Sequence, residues 1–320
     1  DVTLTHDPDD GLFLKSIATG DDNPVLLTLQ TGETDLAADD VIGKIAFQAP
    51  DEGTGTDAIL VSAAIQAVAE GDHSSSSNAT SLQFMTGASE AAATKMTLSS
   101  AGLLTVTGGI TMTGTTPTLT IGDAGAEDAK IVFDGNAQDY HIGLDDSLDS
   151  FVIGNNGFST QCIVVNDSAI VTMPNQPCFL GLNDGGDTVN NAADTTIPID
   201  TEAFDLNGDL SSNTFTAPVT GKYFLNGAIN LDAGSSSNTR FQNVIVMLTC
   251  SNRKLKFGYN TVYTNEDDHM QLSGSGVVDM DANDTCVLQV FASRHGASGA
   301  TTTVGSSTDL RSGLGGYLVA

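Results

Sequence analysis

The side chains that could carry chemistry in this chain are mostly carboxylates. Asp and Glu number 40 against 11 Lys and Arg, and the formal net charge is −29. The five histidines include no pair with the H-x-x-x-H spacing that directs two rings at one metal ion. No G-x-S-x-G, phosphate-binding loop or G-x-G-x-x-G motif precedes a helical pattern. The histidines are His6, His73, His141, His269 and His295. These features predict a protein that is not an enzyme.

Adjacent carboxylates occur at Asp145-Asp146 and at Asp267-Asp268. Glycoside hydrolysis uses two carboxyl groups that flank the scissile bond. With 40 acidic residues in the chain, such neighbours arise by chance, so they do not identify a glycosidase. A polysaccharide-degrading protein therefore stays an alternative.

Two acidic turns come closer to a cation-binding pattern, because oxygen-bearing side chains alternate along them. Neither turn has the Gly at the sixth position or the Glu at the twelfth that an EF-hand loop uses. The competing interpretation is a β-turn whose Asx side chains accept hydrogen bonds from their own backbone. Calcium is a hypothesis for these turns, and no other cofactor is expected. The residues are Asp205, Asn207 and Asp209 in one turn and Asp279, Asp281 and Asn283 in the other.

The charge balance also limits the partners. So acidic a surface repels nucleic acid, which needs clustered Lys and Arg, and it repels anionic membranes. No run of about 18 apolar residues could span a bilayer, and no secretory signal is expected. An extracellular, soluble protein is the favoured interpretation. The basic cluster Arg253, Lys254 and Lys256 could bind an anionic glycan, but pairing with acids of a neighbouring subunit is favoured.

The four cysteines form no C-x-x-C pair. Cys250 and Cys286 lie in apolar runs, and Cys162 and Cys178 are the other two. Buried, reduced thiols are the favoured interpretation, with a disulfide as the alternative.

The elements that must position these residues are predicted to be β-strands. Residues 12–18, 24–31 and 41–50 have β-like composition, whereas 58–71 fits either a helix or a long strand. From residue 101, x-T-x-T alternation rich in Gly, Ile and Leu predicts strands whose apolar face is too narrow for one chain to fold alone. Three intertwined copies would share a core there.

The stretch 41–106 resembles a module of bacteriophage tail fibres, especially those of marine phages. The resemblance implies a strand with G-x-I-x-F, further A-x-I and L-x-F strands, and an S-x-G-x-L-x-V ending, and it favours a strand at 58–71. The matching residues are Gly43, Ile45, Phe47, Ala64, Ile65, Leu82, Phe84, Met96, Leu98, Ser100, Gly102 and Val106.

Residues 176–320 resemble the C1q/TNF-like jelly roll. An A-P-x-x-G-x-Y-x-F motif runs from Ala217, the turn and strand 281–290 match the family's penultimate strand, and the chain ends in Gly-Gly-Tyr-Leu-Val. The resemblance implies a homotrimer whose first and last strands lie close together. The long loops of residues 176–320 differ from those of the family, so the resemblance implies no ligand.

The sequence thus predicts an all-β protein in three parts: a fibre module at 1–107, an intertwined shaft at 108–175 and a jelly-roll tip at 176–320. The expected function is a homotrimeric virion fibre that contacts other virion proteins and binds a host glycan or protein receptor. A purely structural extracellular filament is the main alternative. Recognition is expected on tip loops 232–239, 263–269 and 295–307. The binding candidates are Tyr263, Asp267, Asp268, His269, Arg294 and His295.

Overall fold

The computed structural model describes residues 2–7, 11–17, 19–49, 55–233, 240–261, 269–295, 301–303 and 312–320. The chain forms two compact units, residues 1–119 and 120–320. The described residues are organised as antiparallel β-sheets with two short 3-10 turns, Asp146–Leu148 and Gly157–Ser159. The predicted all-β class is therefore confirmed. Within the described part of the chain, no helix is long and apolar enough to cross a membrane.

The first unit contains a hairpin and a five-stranded meander. Strands β1 (Val2–Asp7) and β2 (Gly11–Ser16) pair with each other. The meander is β3 (Val41–Gln48), β4 (Val61–Ala69), β5 (Thr80–Thr86), β6 (Ala93–Leu98) and β7 (Leu104–Val106), each paired with the next. The ambiguous segment 58–71 is thus a strand over Val61–Ala69.

Two segments predicted as strands differ from expectation. Residues 24–31, all described, form no strand, although Leu29 packs against β3 beside Gly43. Residues 107–128, also fully described, form no strand, and every one of them is exposed. Strands require a ladder partner for their N–H and C=O groups. Among the described residues neither segment pairs with a strand, apart from the Thr107 N–H, which donates a hydrogen bond of 2.8 Å to the Lys95 carbonyl.

The second unit begins with another five-stranded meander. Its strands are β8 (Ala129–Phe133), β9 (Tyr140–Asp145), β10 (Ser150–Asn155), β11 (Thr160–Val165) and β12 (Val171–Thr172). Several of its large apolar side chains are exposed, among them Phe133, Leu144 and Phe151. This meander therefore has little apolar core of its own.

The remaining strands form two packed sheets. The order of the first sheet is β16 (Thr201–Asp205), β13 (Cys178–Asn183), β25 (Ser312–Leu318), β19 (Gly221–Asp232) and β22 (His269–Met280). This sheet is extended beside β19 by β24 (Thr301–Thr303) and then β14 (Thr188–Val189). In the second, the order is β17 (Leu210–Ser211), β18 (Thr214–Thr216), β23 (Thr285–His295), β20 (Arg240–Cys250) and β21 (Lys254–Thr261), with β15 (Ala193–Thr196) also on β23.

The pairing of these strands is nested. The first long strand, β13, pairs with the last, β25; β18 pairs with β23, β19 with β22, and β20 with β21. This nesting across two sheets is the connectivity of a jelly roll. The predicted jelly roll is therefore confirmed by the strand order itself.

The core of the jelly roll lies between the inner faces of its sheets. Phe179 stacks on Phe215 with ring centroids 4.4 Å apart, and Phe215 meets Tyr223 edge-on at 5.4 Å. All three rings are buried, and the Tyr223 hydroxyl donates a hydrogen bond of 2.8 Å to the Val219 carbonyl. Since neighbouring residues of a strand face opposite ways, Phe224 lies on the outer face.

Candidate binding end of the jelly roll

The two ends of the jelly roll differ in what they connect to. At one end, called the base, Gln176 Nε2 donates a hydrogen bond of 2.8 Å to the Leu318 carbonyl, and the Leu318 N–H donates one of 3.0 Å to Pro177. The chain arrives there from the preceding meander. At the opposite end, called the distal end, β13 finishes at Asn183, β19 finishes at Asp232, and β22 and β25 begin.

The described binding candidates lie at the distal end. His269 starts β22 directly opposite Asp232, with its Nε2 3.7 Å from an Asp232 carboxylate oxygen. Arg294 lies next to last in β23, and His295 ends that strand. Tyr263, Asp267 and Asp268 lie outside the described residues. The tertiary structure thus places His269, Arg294 and His295 at one end of the domain.

Arg294 is used to hold backbone in place. Its N–H donates a hydrogen bond of 3.0 Å to the Asn191 side chain, and its Nη2 donates one of 2.7 Å to the Ala233 carbonyl. The guanidinium therefore ties the end of β23 to the residue that follows β19, where segment 234–239 begins.

A polar cluster at the same end was not predicted from the sequence. The buried Asn183 side chain donates hydrogen bonds of 2.6 Å to Asp187 and 2.8 Å to Asp200. The Asp184 N–H donates one of 3.1 Å to Asp200. The adjacent Asp200 carboxyl, desolvation and the Asp187 charge together raise the pKa of Asp184. The sequence signal was the N-D-G-G-D turn directly after an alternating strand.

This cluster is tied to the neighbouring strand β24. The Asp187 N–H donates a hydrogen bond of 2.9 Å to the Thr303 hydroxyl, and the Gly186 and Thr303 N–H groups donate bonds of 3.0 and 2.9 Å across the same pair of segments. The hydrogen bonds among Asn183, Asp187, Asp200 and Thr303 therefore form a rim at this end, called the distal rim.

The predicted calcium turns lie at the base. The Asp205 carboxylate accepts hydrogen bonds from the Asp209 N–H at 3.1 Å and the Leu210 N–H at 2.7 Å. Burial and the nearby Asp205 charge raise the pKa of Asp209, partly opposed by a hydrogen bond from Asn207. The Asp205 side chain thus accepts hydrogen bonds from the backbone of its own turn, and calcium binding at this turn stays a prediction.

The second turn is likewise closed on itself. The Asp284 N–H donates a hydrogen bond of 2.9 Å to the Asp281 carbonyl, the Asp281 N–H donates one of 3.0 Å to the Asp284 carboxylate, and Asn283 has a left-handed φ of 74°. Asp279 lies 3.7 Å from Lys222 on the surface. Among the residues that the structure describes, no group of three or more His, Cys, Asp or Glu is placed to hold a metal ion.

The basic cluster also lies at the base. Lys254 Nζ is 2.9 Å from the Asp194 carboxylate of its own chain. The pairing of this cluster with acids of a neighbouring subunit stays a prediction. Arg253 Nε donates a hydrogen bond of 3.3 Å to the adjacent Asn252.

The outer face of the first sheet, defined by Leu180, Phe204, Phe224, Val277 and Tyr317, is apolar near the base. Tyr317 is 48% exposed and Val277 is 57% exposed, and each stands directly opposite Phe224 on a neighbouring strand. Toward the distal end the same face becomes polar. A contiguous exposed apolar patch of this kind is typical of an interaction surface.

Comparisons with known proteins give limited similarity. No protein-family model matches the chain. No curated protein matches it. The globular domain of zebrafish complement 1qA protein is 15% identical, with 45% of this chain and 98% of that domain covered and a TM-score of 0.31. Murine APRIL structures at pH 8.5 and pH 5.0 are each 11% identical, covering 45% of this chain and 99% of theirs, with TM-scores of 0.30 and 0.31. The jelly-roll assignment rests on the nested strand pairing and not on these similarities.

Proposed function

We propose that this chain is a non-enzymatic, homotrimeric virion fibre of the bacteriophage tail-fibre kind, whose jelly roll binds a host glycan or protein through its distal end. Its other partners would be the virion or fibre proteins to which it attaches. The observation that carries the proposal is segment 107–128, whose residues are all exposed and which pairs with no strand among the described residues beyond the bond from the Thr107 N–H to the Lys95 carbonyl.

That segment is unusual for a solvated linker. It alternates Thr with apolar residues, and Ile110 is 75% exposed while Leu119 is 66% exposed. Burying such side chains against two further copies would remove apolar area from water, at about 25 cal/mol per Å². Three chains winding together would also provide the missing backbone partners.

The outer face of the first sheet supports the same assembly. Phe204, Phe224, Val277 and Tyr317 form an apolar surface that one chain leaves in contact with water. Aromatic residues are enriched at the centres of protein interfaces. A second and a third copy would cover this face and leave the distal ends of all three jelly rolls exposed.

Binding at the distal end follows from the layout of the domain. The base receives the chain, whereas segments 234–239, 262–268, 296–300 and 304–311 begin at strand ends of the distal rim. Loops on a rigid scaffold commonly carry recognition. Three copies of a weak site could give firm attachment through avidity.

The assembly is tested by light scattering of the full chain. We expect about three times the chain mass of 32.9 kDa at every working concentration. A folded monomer would contradict the homotrimer. Open polymers of increasing mass would favour the structural-filament alternative instead.

Host binding is tested with fluorescently labelled full-length protein on panels of bacterial cells and on glycan arrays. Replacing segment 262–268, which holds the binding candidates Tyr263, Asp267 and Asp268, with a Gly/Ser stretch of equal length should abolish binding. As a matched control, replacing Ser251 and Asn252 at the base should not. Binding that is equally sensitive to both replacements would contradict the distal site, and release of reducing sugar from host polysaccharide would favour the degrading-fibre alternative.

A further inference from the structure

Two of the four cysteines meet inside the jelly roll. Cys250 ends β20 and Cys286 lies at the start of β23, and the two are directly opposite each other in the ladder between these strands. Their sulfur atoms are 2.9 Å apart, although 36 positions separate them in sequence. Both side chains are buried, Cys250 at 6% exposure and Cys286 at none.

We propose that Cys250 and Cys286 are a modification site, at which a small-molecule disulfide oxidant converts the two thiols into a cross-strand disulfide that holds β20 to β23. The backbone is already positioned for this bond. Residues opposite each other in an antiparallel ladder have Cα atoms about 4.5–5.5 Å apart, and disulfides span about 4.4–6.8 Å between Cα atoms. Closing the sulfur–sulfur gap therefore needs side-chain adjustment only.

The surroundings give the two thiols different roles. The two thiols share a hydrogen bond across 2.9 Å, and this bond together with the nearby Arg253 charge lowers the pKa of the Cys250 thiol against the opposing effect of burial. The same hydrogen bond between the two thiols, together with stronger burial, raises the pKa of the Cys286 thiol. Cys250 is also the more exposed of the two, at the end of its strand, so its thiolate, the nucleophile in exchange, meets the oxidant first and Cys286 completes the bond.

With oxidised glutathione as the oxidant, the exchange balances. The Cys250 thiolate attacks one glutathione sulfur, forming a mixed disulfide and releasing one glutathione thiolate. Cys286 then loses its proton and attacks the Cys250 sulfur, which releases the second glutathione. Two protein thiols are oxidised, one glutathione disulfide is reduced to two thiols, and the two protons from the cysteines end on the released glutathiones.

Access to the pair comes from its position at the end of the sheet. Cys250 is followed by a tight turn, in which the Cys250 N–H donates a hydrogen bond of 2.8 Å to the Arg253 carbonyl. Strand ends open more readily than strand centres, and during folding the pair meets oxidant before the core closes. The disulfide would close a loop containing β21 and β22. This loop would reduce the conformational entropy of the unfolded chain and so stabilise the folded state.

The test uses the full chain, incubated with either oxidised glutathione or dithiothreitol and then denatured for thiol counting. We expect four titratable thiols after reduction and two after oxidation, with a peptide linking Cys250 to Cys286 in the mass map. The urea midpoint should rise in the oxidised protein and return on reduction. The double variant Cys162→Ser/Cys178→Ser should still lose its remaining two thiols on oxidation.

The matched variant Cys286→Ser should form no internal link, leaving at most a glutathione adduct on Cys250. Retention of all four thiols after oxidation would overturn the proposal, as would a link between Cys162 and Cys178 or a link between chains. An oxidised protein with an unchanged urea midpoint would overturn the stabilising role. If Cys286→Ser does not fold, the wild-type map and the double variant still decide the outcome.

Discussion

Phe224 on β19 and Tyr317 on β25 stand directly opposite each other on the outer face of the first sheet, with ring centroids 5.3 Å apart and planes inclined at 34°. Their immediate neighbours Tyr223 and Leu318 point the other way, and Tyr223 is fully buried. The same strands thus present one aromatic surface to the core and another to solvent. In the proposed trimer, the second surface is where the subunits meet.

Tyr317→Ser should weaken the trimer while leaving each jelly roll folded. Aromatic residues at interface centres cost about 2 kcal/mol or more when truncated, which corresponds to roughly a 30-fold change in dissociation constant. Sedimentation over a dilution series would measure this change. Leu206→Ser, at a similarly exposed position in the turn after β16, is the control and should leave the mass unchanged. Unaltered assembly of Tyr317→Ser would argue against this face as the interface.

Phe215→Ala should destabilise the jelly roll by about 3–5 kcal/mol, because it leaves a cavity between Phe179 and Tyr223. Urea unfolding followed by near-ultraviolet circular dichroism would report the loss. Phe215→Leu retains much of the volume and should cost less. Equal effects of the two substitutions would mean that the site collapses around the smaller side chain.

Asp184→Asn should change how stability depends on pH. The folded-state pKa of Asp184 is raised, so its protonation contributes stability that is present below the ordinary carboxyl pKa of about 3.9 and is lost as pH rises through the raised value. The amide cannot ionise, so the variant should have a higher urea midpoint than wild type at pH 7 and a similar one at pH 3. Asp134→Asn removes the same charge from an exposed position and serves as control. Identical pH profiles for the two variants would contradict a local effect at Asp184.

Asp205→Ala should destabilise the base of the jelly roll by about 2 kcal/mol, because the Asp209 and Leu210 N–H groups lose a charged acceptor. Asp205→Asn keeps one acceptor oxygen and should cost less. Thermal unfolding with calcium and with a chelator completes the measurement, and we expect no difference for the wild type. A calcium-dependent rise that Asp205→Ala removes would support the cation hypothesis for this turn.

Composition leaves the partner of a segment open. Residues 24–31 and 107–128 have the composition of strands but form none in the single chain, since composition describes how a side chain suits a sheet and not whether a neighbouring strand is present. Lys254 pairs with Asp194, which lies 60 positions away, so no local pattern indicated that pair.

Alternation and turn residues in the sequence determined the all-β class, because they are local properties. The strand at Val61–Ala69 was left open by periodicity and came from the resemblance to the fibre module, and the jelly roll was indicated by strand spacing together with the A-P-x-x-G-x-Y-x-F pattern. Only the tertiary structure decided that the Asn183 side chain donates hydrogen bonds to both Asp187 and Asp200. It also decided that Phe224 faces outward while Tyr223 faces the core, and that Cys250 contacts Cys286. These juxtapositions depend on which strands become neighbours and in which register. Strand pairing is non-local, and a shift of one residue reverses every side chain, so no short stretch of sequence contains that information.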